Sequence, residues 1–152
     1  MLDVIGIRSE KTPKELMAHF DGIGAEVILF DPDYICGKDH LLSAYIHAER
    51  AIERGTNRSR DLVSETILYA SADRQIGRAI KKMSPKKNSD EFVVLVIGKH
   101  ENLRLNEIDA ERDDSLIECT EESAKNMNLE KSKIPYTELI LEHVAAVDIM
   151  KF

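Results

Sequence analysis

Tryptophan is absent from this chain, and aromatic residues of all kinds make up only 5% of its 152 residues. A protein that binds single-stranded nucleic acid by stacking bases on aromatic rings needs several such side chains on one surface. The scarcity of aromatic residues therefore argues against a base-stacking platform. The other bulk figures, 43% hydrophobic and 32% charged residues, are those of an ordinary globular domain.

Cysteine is equally scarce, since the chain contains only Cys36 and Cys119. Their spacing fits neither a CxxC motif nor a metal site, and disulfide-rich secreted domains carry more cysteines than this. We therefore expect free thiols and a cytoplasmic protein. The first seven residues include Asp3 and form too short a segment for a signal peptide. No apolar run approaches the roughly 20 residues of a membrane-spanning helix, so no membrane partner is expected.

Positive charge is scarce in the last third of the chain. Residues 101–152 carry 13 acidic and 6 basic side chains, whereas residues 1–100 carry 15 of each, and the formal net charge is -7. Residues 74–89 depart from this trend, because they hold six basic side chains and no acidic one. A local basic patch attracts phosphate groups within about 8–10 Å even on an acidic protein. This segment is therefore a candidate binding surface.

Hydrophobic periodicity predicts one domain over residues 1–152 with an α+β fold, in which several helices surround a small mixed or antiparallel sheet. Strands are predicted at residues 1–7, 25–30 and 91–98. Helices are predicted at residues 11–20, 39–54 and 59–70, then from a cap at Ser71 or Asp73 to about Met83, weakly at 121–127, and from 135 onward. Asp39 is the expected N-cap of the second of these helices. The polar residues 99–118 favour no element.

The helix that ends near Met83 has two chemically different faces. Its apolar face consists of Ile76, Ala79, Ile80 and Met83. Its basic face consists of Arg74, Arg78, Lys81 and Lys82. Like charges at this spacing repel one another, so helix stability alone does not favour the pattern. Arg74 and Gln75 offer planar, multidentate donors that suit phosphates and base edges, whereas the alternative is a solvated face that keeps the protein soluble.

Motifs for catalysis and cofactor binding are incomplete. Gly37 and Lys38 lack the remaining residues of a phosphate-binding loop, and residues 22–26 lack the third glycine of a dinucleotide-binding motif. We therefore predict no enzyme activity, no catalytic residue, no metal and no cofactor. One alternative stays open, a small metal-dependent hydrolase centred on His40 and His47, which lie about two helical turns apart.

Three segments together resemble a known protein family: GKDHLLSAYIHAERAIERGTN at 37–57, ETILYASADRQIGRAIKKM at 65–83 and TELILEHVAAVDI at 137–149. Their order and spacing are similar to those of the small regulatory subunit of the KEOPS/EKC complex, the family of the PRPK-binding protein. The chain departs from the family at Ala72, where glycine is usual, near His143, where arginine is usual, and at its C-terminal end, where leucine is usual.

The resemblance implies a non-catalytic subunit of the complex that places a threonylcarbamoyl group on the adenosine beside the anticodon of certain tRNAs. In that family the subunit binds the N-terminal lobe of a PRPK-type atypical kinase/ATPase, and it contacts other KEOPS subunits only indirectly. It also helps to hold tRNA, including the single-stranded CCA end. A general protein-binding module, whose basic face meets an acidic protein, is the remaining alternative.

The residues that would carry these roles form two sets. Expected tRNA contacts are Lys38, Arg74, Gln75 and Arg78, with Arg58 and Arg60 as outer steering charges; helix capping and solvent exposure are the alternative. Expected kinase contacts are Val144, Val147, Ile149 and Met150. Core packing must explain part of the second set, because one face of the last helix has to be buried.

Overall fold

Four antiparallel strands form the sheet in the computed structural model of this chain, which describes residues 2–98 and 100–150. The strands are β1 (Leu2–Arg8), β2 (Glu26–Phe30), β3 (Glu91–Ile97) and β4 (Glu111–Arg112). Their order across the sheet is β2–β3–β1–β4, and each neighbouring pair runs antiparallel. The predicted α+β fold with a small antiparallel sheet is confirmed.

Six α-helices accompany the sheet in the described part of the chain. They are α1 (Pro13–Gly22), α2 (Lys38–Arg54), α3 (Leu62–Ser71), α4 (Ile76–Met83), α5 (Glu121–Asn126) and α6 (Tyr136–Met150). All predicted helices and strands are present, and β4 lies within residues 99–118, where the sequence favours no element. Within the described residues, no helix has the length and apolar character needed to cross a bilayer.

The sheet separates two apolar cores, because successive side chains of a strand point to opposite faces. In β1, Val4 belongs to one core, whereas Ile5 and Ile7 belong to the other. The first and larger core lies against α2, α3, α4 and α6, and the second lies against α1. β3 contributes to both cores, and its residues 92–96 are all buried, as its continuous apolar run predicts.

Several helices begin at residues other than those that the sequence indicates. α2 begins at Lys38 with Gly37 as its N-cap, so the prediction of Asp39 as the cap is wrong. The φ angle of Gly37 is 97°, a conformation that glycine adopts without the steric penalty of a side chain. α3 starts after Asp61, whose side chain accepts a hydrogen bond from the Ser64 N–H.

The start of α4 also differs from the prediction. This helix follows Gln75, whose side-chain oxygen accepts a hydrogen bond from the Arg78 N–H at 2.6 Å. Ser71 and Asp73 are therefore not its caps: Ser71 is the last residue of α3, and Asp73 lies in the turn between the helices. The Asp73 carboxylate instead accepts the N–H groups of Arg74 and Gln75, at 2.7 and 3.0 Å, and so orders this turn.

The faces of α4 are rotated from the predicted division. Ile80 was expected on the apolar face, but it is 42% exposed. Lys82 was expected on the basic face, but it is half-buried and its Nζ donates to the Ser71 carbonyl at 3.2 Å. The carbonyl groups at the end of α3 lack partners within their own helix and attract a cation. Lys82 therefore faces α3, and Ile80 faces solvent.

His40 connects the start of α2 to the end of α3. The Cys36 N–H donates to His40 Nδ1 at 3.0 Å, so Nε2 carries the ring proton and donates to the Ala70 carbonyl at 2.8 Å. Burial lowers the pKa of His40 to about 4, and the ring is therefore neutral near pH 7. Because this contact joins opposite ends of the two helices, α2 and α3 run antiparallel.

α6 runs parallel to α2. The starts of the two helices are adjacent, since a Cβ built on Gly37 would lie 3.3 Å from Thr137 Cγ2. About three turns further along, His47 of α2 contacts Asp148 of α6. The end of α3 therefore meets the start of α2 through His40, and its Tyr69 reaches the last turn of α6.

Cys36 and Cys119 form a disulfide, so the expectation of free thiols is wrong. The Gly37 N–H donates to the Ile117 carbonyl at 2.8 Å, and this hydrogen bond places the two cysteine-bearing segments side by side. The pairing joins residues that are 83 positions apart, which no spacing rule for a two-cysteine chain reveals.

Candidate functional site

Three of the predicted tRNA contacts meet in the turn between α3 and α4. Asp73 organises this turn, because its two carboxylate oxygens accept hydrogen bonds from Arg78 Nε and Nη2 at 3.1 and 2.9 Å. The Arg78 guanidinium lowers the pKa of Asp73 to about 2, with help from the backbone N–H groups of Gln75 and Arg74. The Arg78 side chain nevertheless remains 64% exposed. It is held in place, but it is not sequestered.

Arg74 and Gln75 differ in how they present their side chains. Arg74 is exposed, and no described residue forms an ion pair with its guanidinium. The side chain of Gln75 is also exposed, but its oxygen is occupied by the Arg78 N–H in the cap of α4. Of the two, Arg74 is the more available to a phosphate, and Gln75 has the capping role that was its alternative.

Lys38 is the first residue of α2 and lies beside β1. Its Nζ is 2.8 Å from Asp3 Oδ1, and both side chains are about half exposed. The hydrogen bond from Lys38 is the main cause of a lowered pKa for Asp3. We call the four predicted contacts Lys38, Arg74, Gln75 and Arg78, which flank the His40 contact between the start of α2 and the end of α3, the basic end.

Only part of the positive charge of residues 74–89 is available to a ligand. Lys82 donates to the end of α3, as described above. Lys86 Nζ lies 3.1 Å from Asp31 Oδ2 and 3.0 Å from the Lys82 carbonyl, and it sits over the Tyr34 ring at 5.1 Å from the centroid. The exposed cations of this segment are Arg74, Arg78, Lys81, Lys86 and Lys87. Of these, Arg78 and Lys86 already pair with a carboxylate. Lys82 was predicted on the basic face but faces α3, so this face offers a ligand fewer cations than the periodicity predicts.

Arg58 and Arg60 lie away from the basic end. They belong to the loop before α3, and the ten residues of this helix separate the two sites by about 15 Å. The buried Glu65 holds the loop, because its carboxylate accepts the backbone N–H groups of Arg58 and Ser59, the latter at 2.9 Å. Because α3 separates them, the six predicted tRNA contacts form two groups. Glu65 was not identified from the sequence, where it resembles an ordinary surface carboxylate.

The four predicted kinase contacts divide between core and surface. Val144 and Val147 are fully buried in the larger core, so they have the packing role that was the alternative for part of this set. Ile149 is 81% exposed, and Met150 is partly buried against the core. The prediction of a kinase contact therefore rests on the last turn of α6, residues 147–150, and chiefly on Ile149.

Three side chains from three helices meet beside this last turn. Tyr69 of α3 donates its hydroxyl hydrogen bond to Asp148 of α6, and His47 of α2 lies 3.2 Å from the other oxygen of the same carboxylate. The rings of His47 and Tyr69 stack with their centroids 5.4 Å apart. We call this group the Asp148 cluster. The sequence signal for this cluster is an acidic residue in the last turn of a helix, where a carboxylate is unfavourable.

The arrangement of His40 and His47 does not support a metal centre. Both ring nitrogens of His40 are engaged in hydrogen bonds inside the core, and His47 pairs with Asp148. Across residues 2–98 and 100–150, no group of three or more histidine, cysteine, aspartate or glutamate side chains is placed to hold a metal ion.

A recess of about 300 Å³ opens beside Lys38. It is lined by Val4, Gly37, Lys38, Arg112, Asp114, Ile117 and Glu118. Arg112 donates to the Asp114 carboxylate at 3.0–3.2 Å, so its guanidinium is oriented at the edge of the recess. The recess therefore combines apolar residues with two basic and two acidic side chains.

Comparison with known families assigns the chain to a class of kinase binding proteins. The model of the family described as kinase binding protein CGI-121 matches residues 9–142. The chain therefore belongs to this family, which is the KEOPS-subunit family that the sequence resembles. A comparison with curated proteins gave no match. All six predicted tRNA contacts lie inside the matched range, and the four predicted kinase contacts lie just beyond it.

Proposed function

We propose that this protein is a cytoplasmic, non-catalytic subunit of a KEOPS/EKC complex that takes part in tRNA threonylcarbamoyladenosine modification. In this role it binds a PRPK-type atypical kinase/ATPase, recruits tRNA including the CCA end, and meets the other subunits through the kinase. Membership of the kinase binding protein family is the observation that carries the proposal. The geometry supports a division of the two tasks between two surfaces.

The kinase would bind at the last turn of α6. Ile149 is the most exposed of the large apolar side chains in the described part of the chain, at 81%. On α2, Ile46 is 42% exposed. Ile46 precedes His47 in α2, and Ile149 follows Asp148 in α6. The side chains of His47 and Asp148 are in contact. Exposed aliphatic side chains on adjacent helices suit the apolar centre of a protein interface.

The tRNA would bind at the basic end. Arg74, Arg78 and Lys38 are exposed cations there, and exposed ion pairs such as Lys38–Asp3 are weak enough for a phosphate to replace the carboxylate. Contacts of this kind act on phosphates and carry no sequence information by themselves. The recess beside Lys38 has space for a small terminal group such as an unpaired base of the CCA end.

The kinase surface is tested with Ile149→Asp and a matched control, Ile134→Asp. Ile134 is also exposed, at 42%, but it precedes the 15-residue α6 and so lies about 20 Å from the last turn. We expect Ile149→Asp to weaken binding to the PRPK-type kinase at least tenfold in titration calorimetry, while Ile134→Asp binds normally. Equal binding by both variants would place the kinase elsewhere.

The tRNA surface is tested with Arg74→Glu combined with Arg78→Glu. The control is Lys125→Glu with Lys131→Glu, which changes the net charge by the same amount at exposed positions outside the basic end. We expect the first pair to weaken tRNA binding at least tenfold, the control to have a small effect, and kinase binding to persist in both. A wild-type protein that binds an acidic protein but no tRNA would instead support the general protein-binding module.

A further inference from the structure

The position of Asp148 is unfavourable for its own helix. The C-terminal end of an α-helix carries a partial negative charge, so a carboxylate in the last turn is destabilising. The last turn of α6 contains no basic side chain that would offset it. The compensating contacts come from other helices, because the carboxylate accepts the hydrogen bond from Tyr69 and pairs with His47. Asp148 therefore acts between helices and not within one.

Tyr69 is a rigid anchor for this contact. Its ring is fully buried in the larger core, and His47 stacks on it. Burial, followed by the hydrogen bond to Asp148, raises the pKa of the Tyr69 hydroxyl, which therefore remains a donor at neutral pH. A carboxylate that binds such a hydroxyl is held to a fixed point of the core.

The two residues that flank Asp148 in the sequence differ in solvent exposure. Val147 is fully buried, whereas Ile149 is 81% exposed. Successive residues of a helix point about 100° apart, so fixing the direction of one side chain fixes the direction of the next. The ends of helices fray easily, and without a tertiary anchor the last turn would present Ile149 in many orientations.

We propose that Asp148 is a positioning residue of the protein-binding surface, which holds the last turn of α6 against Tyr69 and His47 so that Ile149 points outward in one direction. The inference rests on the proposed function, because it assumes that Ile149 contacts the kinase. Preorganisation of this kind strengthens binding because the ordering entropy is lost during folding and not during association.

The test compares three variants at the cluster. Asp148→Ala removes both contacts, Tyr69→Phe removes only the hydroxyl, and Asp148→Asn retains an oxygen that accepts the Tyr69 hydrogen bond. We expect the first two to weaken kinase binding about fivefold and Asp148→Asn to restore most of the affinity. Glu142→Ala is the control on the same helix, and it should bind normally. Tyr69→Phe keeps the buried ring and answers the question if Asp148→Ala does not fold.

A double-mutant cycle separates positioning from general stability. If Asp148 acts through Ile149, then Asp148→Ala should have little further effect in an Ile149→Ala background. Additive losses, or wild-type affinity in both Asp148→Ala and Tyr69→Phe, would overturn the inference while Ile149→Asp still supports the kinase surface. If Ile149→Asp itself binds normally, then the proposed kinase surface fails, and the role of Asp148 fails with it.

Discussion

The basic end and the last turn of α6 present their exposed side chains in different ways. At the basic end, Arg78 and Lys38 pair with the carboxylates of Asp73 and Asp3 and remain more than half exposed. At the last turn of α6, the exposed side chain is apolar, and the neighbouring carboxylate is tied to a buried tyrosine. At the basic end, water and ions can replace the carboxylate partners of the cations. At the last turn of α6, the carboxylate is bound to a residue of the core.

This difference matches the two kinds of ligand that we propose. Phosphate contacts are interchangeable along a polyanion, so cations that exchange partners easily are suitable for them. A protein interface depends on a few apolar side chains held in one geometry. The comparison therefore predicts that added salt weakens tRNA binding at the basic end strongly and kinase binding at the last turn of α6 only slightly.

The largest expected effect concerns the anchoring of the basic end through His40. Burial lowers the pKa of His40 from an ordinary 6.5 to about 4, so the unfolded chain binds a proton in a pH range where the folded chain does not. The stabilisation is therefore complete above about pH 6.5 and is lost as the pH falls toward 4. Between these two pH values, the free energy of unfolding falls by roughly 3 kcal/mol because the unfolded chain takes up this proton.

Urea denaturation of the wild type and of His40→Gln between pH 7 and pH 4 measures this contribution. The variant should be less stable at pH 7 and should lose less stability on acidification. His143→Gln is the control variant, since His143 lies partly exposed on α6. Parallel curves for all three proteins would show that His40 is not the acid-sensitive anchor.

The next effect distinguishes the two groups of arginines on tRNA. We expect Arg74→Ala with Arg78→Ala to reduce the slope of log K against log salt by about two, because each lost phosphate contact removes about one unit. Arg58→Ala with Arg60→Ala should reduce it by less than one, because this loop lies about 15 Å away. Filter binding over a range of salt concentrations gives the slopes. Equal reductions would mean that the tRNA follows the whole length of α3.

The smallest effect concerns the turn that leads into the basic end. Ala72 caps α3 in a left-handed conformation with a φ of 56°, which glycine adopts without the steric penalty of a side chain. A left-handed conformation costs a residue with a Cβ about 1 kcal/mol, so Ala72→Gly should raise the unfolding free energy by about 0.5–1 kcal/mol. Ala18→Gly, in the exposed interior of α1, should lower it by a similar amount. A lower melting temperature for Ala72→Gly would contradict the strain that we infer.

Periodicity predicted the helices and strands correctly because local patterns determine them. Thr12 and Pro13 indicate the start of α1, and the structure has Thr12 in a capping box with Glu15. β4 was not predicted, since two residues carry no alternating pattern. The α2 cap was misplaced because Asp39 is a common capping residue, whereas the positive φ of Gly37 depends on how the chain enters the helix.

The contacts that organise the two surfaces were beyond sequence reasoning for a different reason. Asp148 meets Tyr69 across 79 residues and His47 across 101, so no local spacing reveals the cluster. The disulfide of Cys36 likewise depends on a segment far along the chain. Lys82 reads as an exposed cation on a helical wheel, and only the position of α3 turns it inward.

The inward direction of Lys82 has a practical consequence for mutational scanning of this protein. Replacing Lys82 or Lys86 removes a counter-charge from a helix end or from the buried Asp31, so a variant at either position would lose part of its fold together with the tRNA affinity that we propose. Lys81 and Lys87 lie on the solvent side of the same segment and report on ligand attraction alone. A scan that averages the four lysines would mistake a structural defect for a recognition determinant.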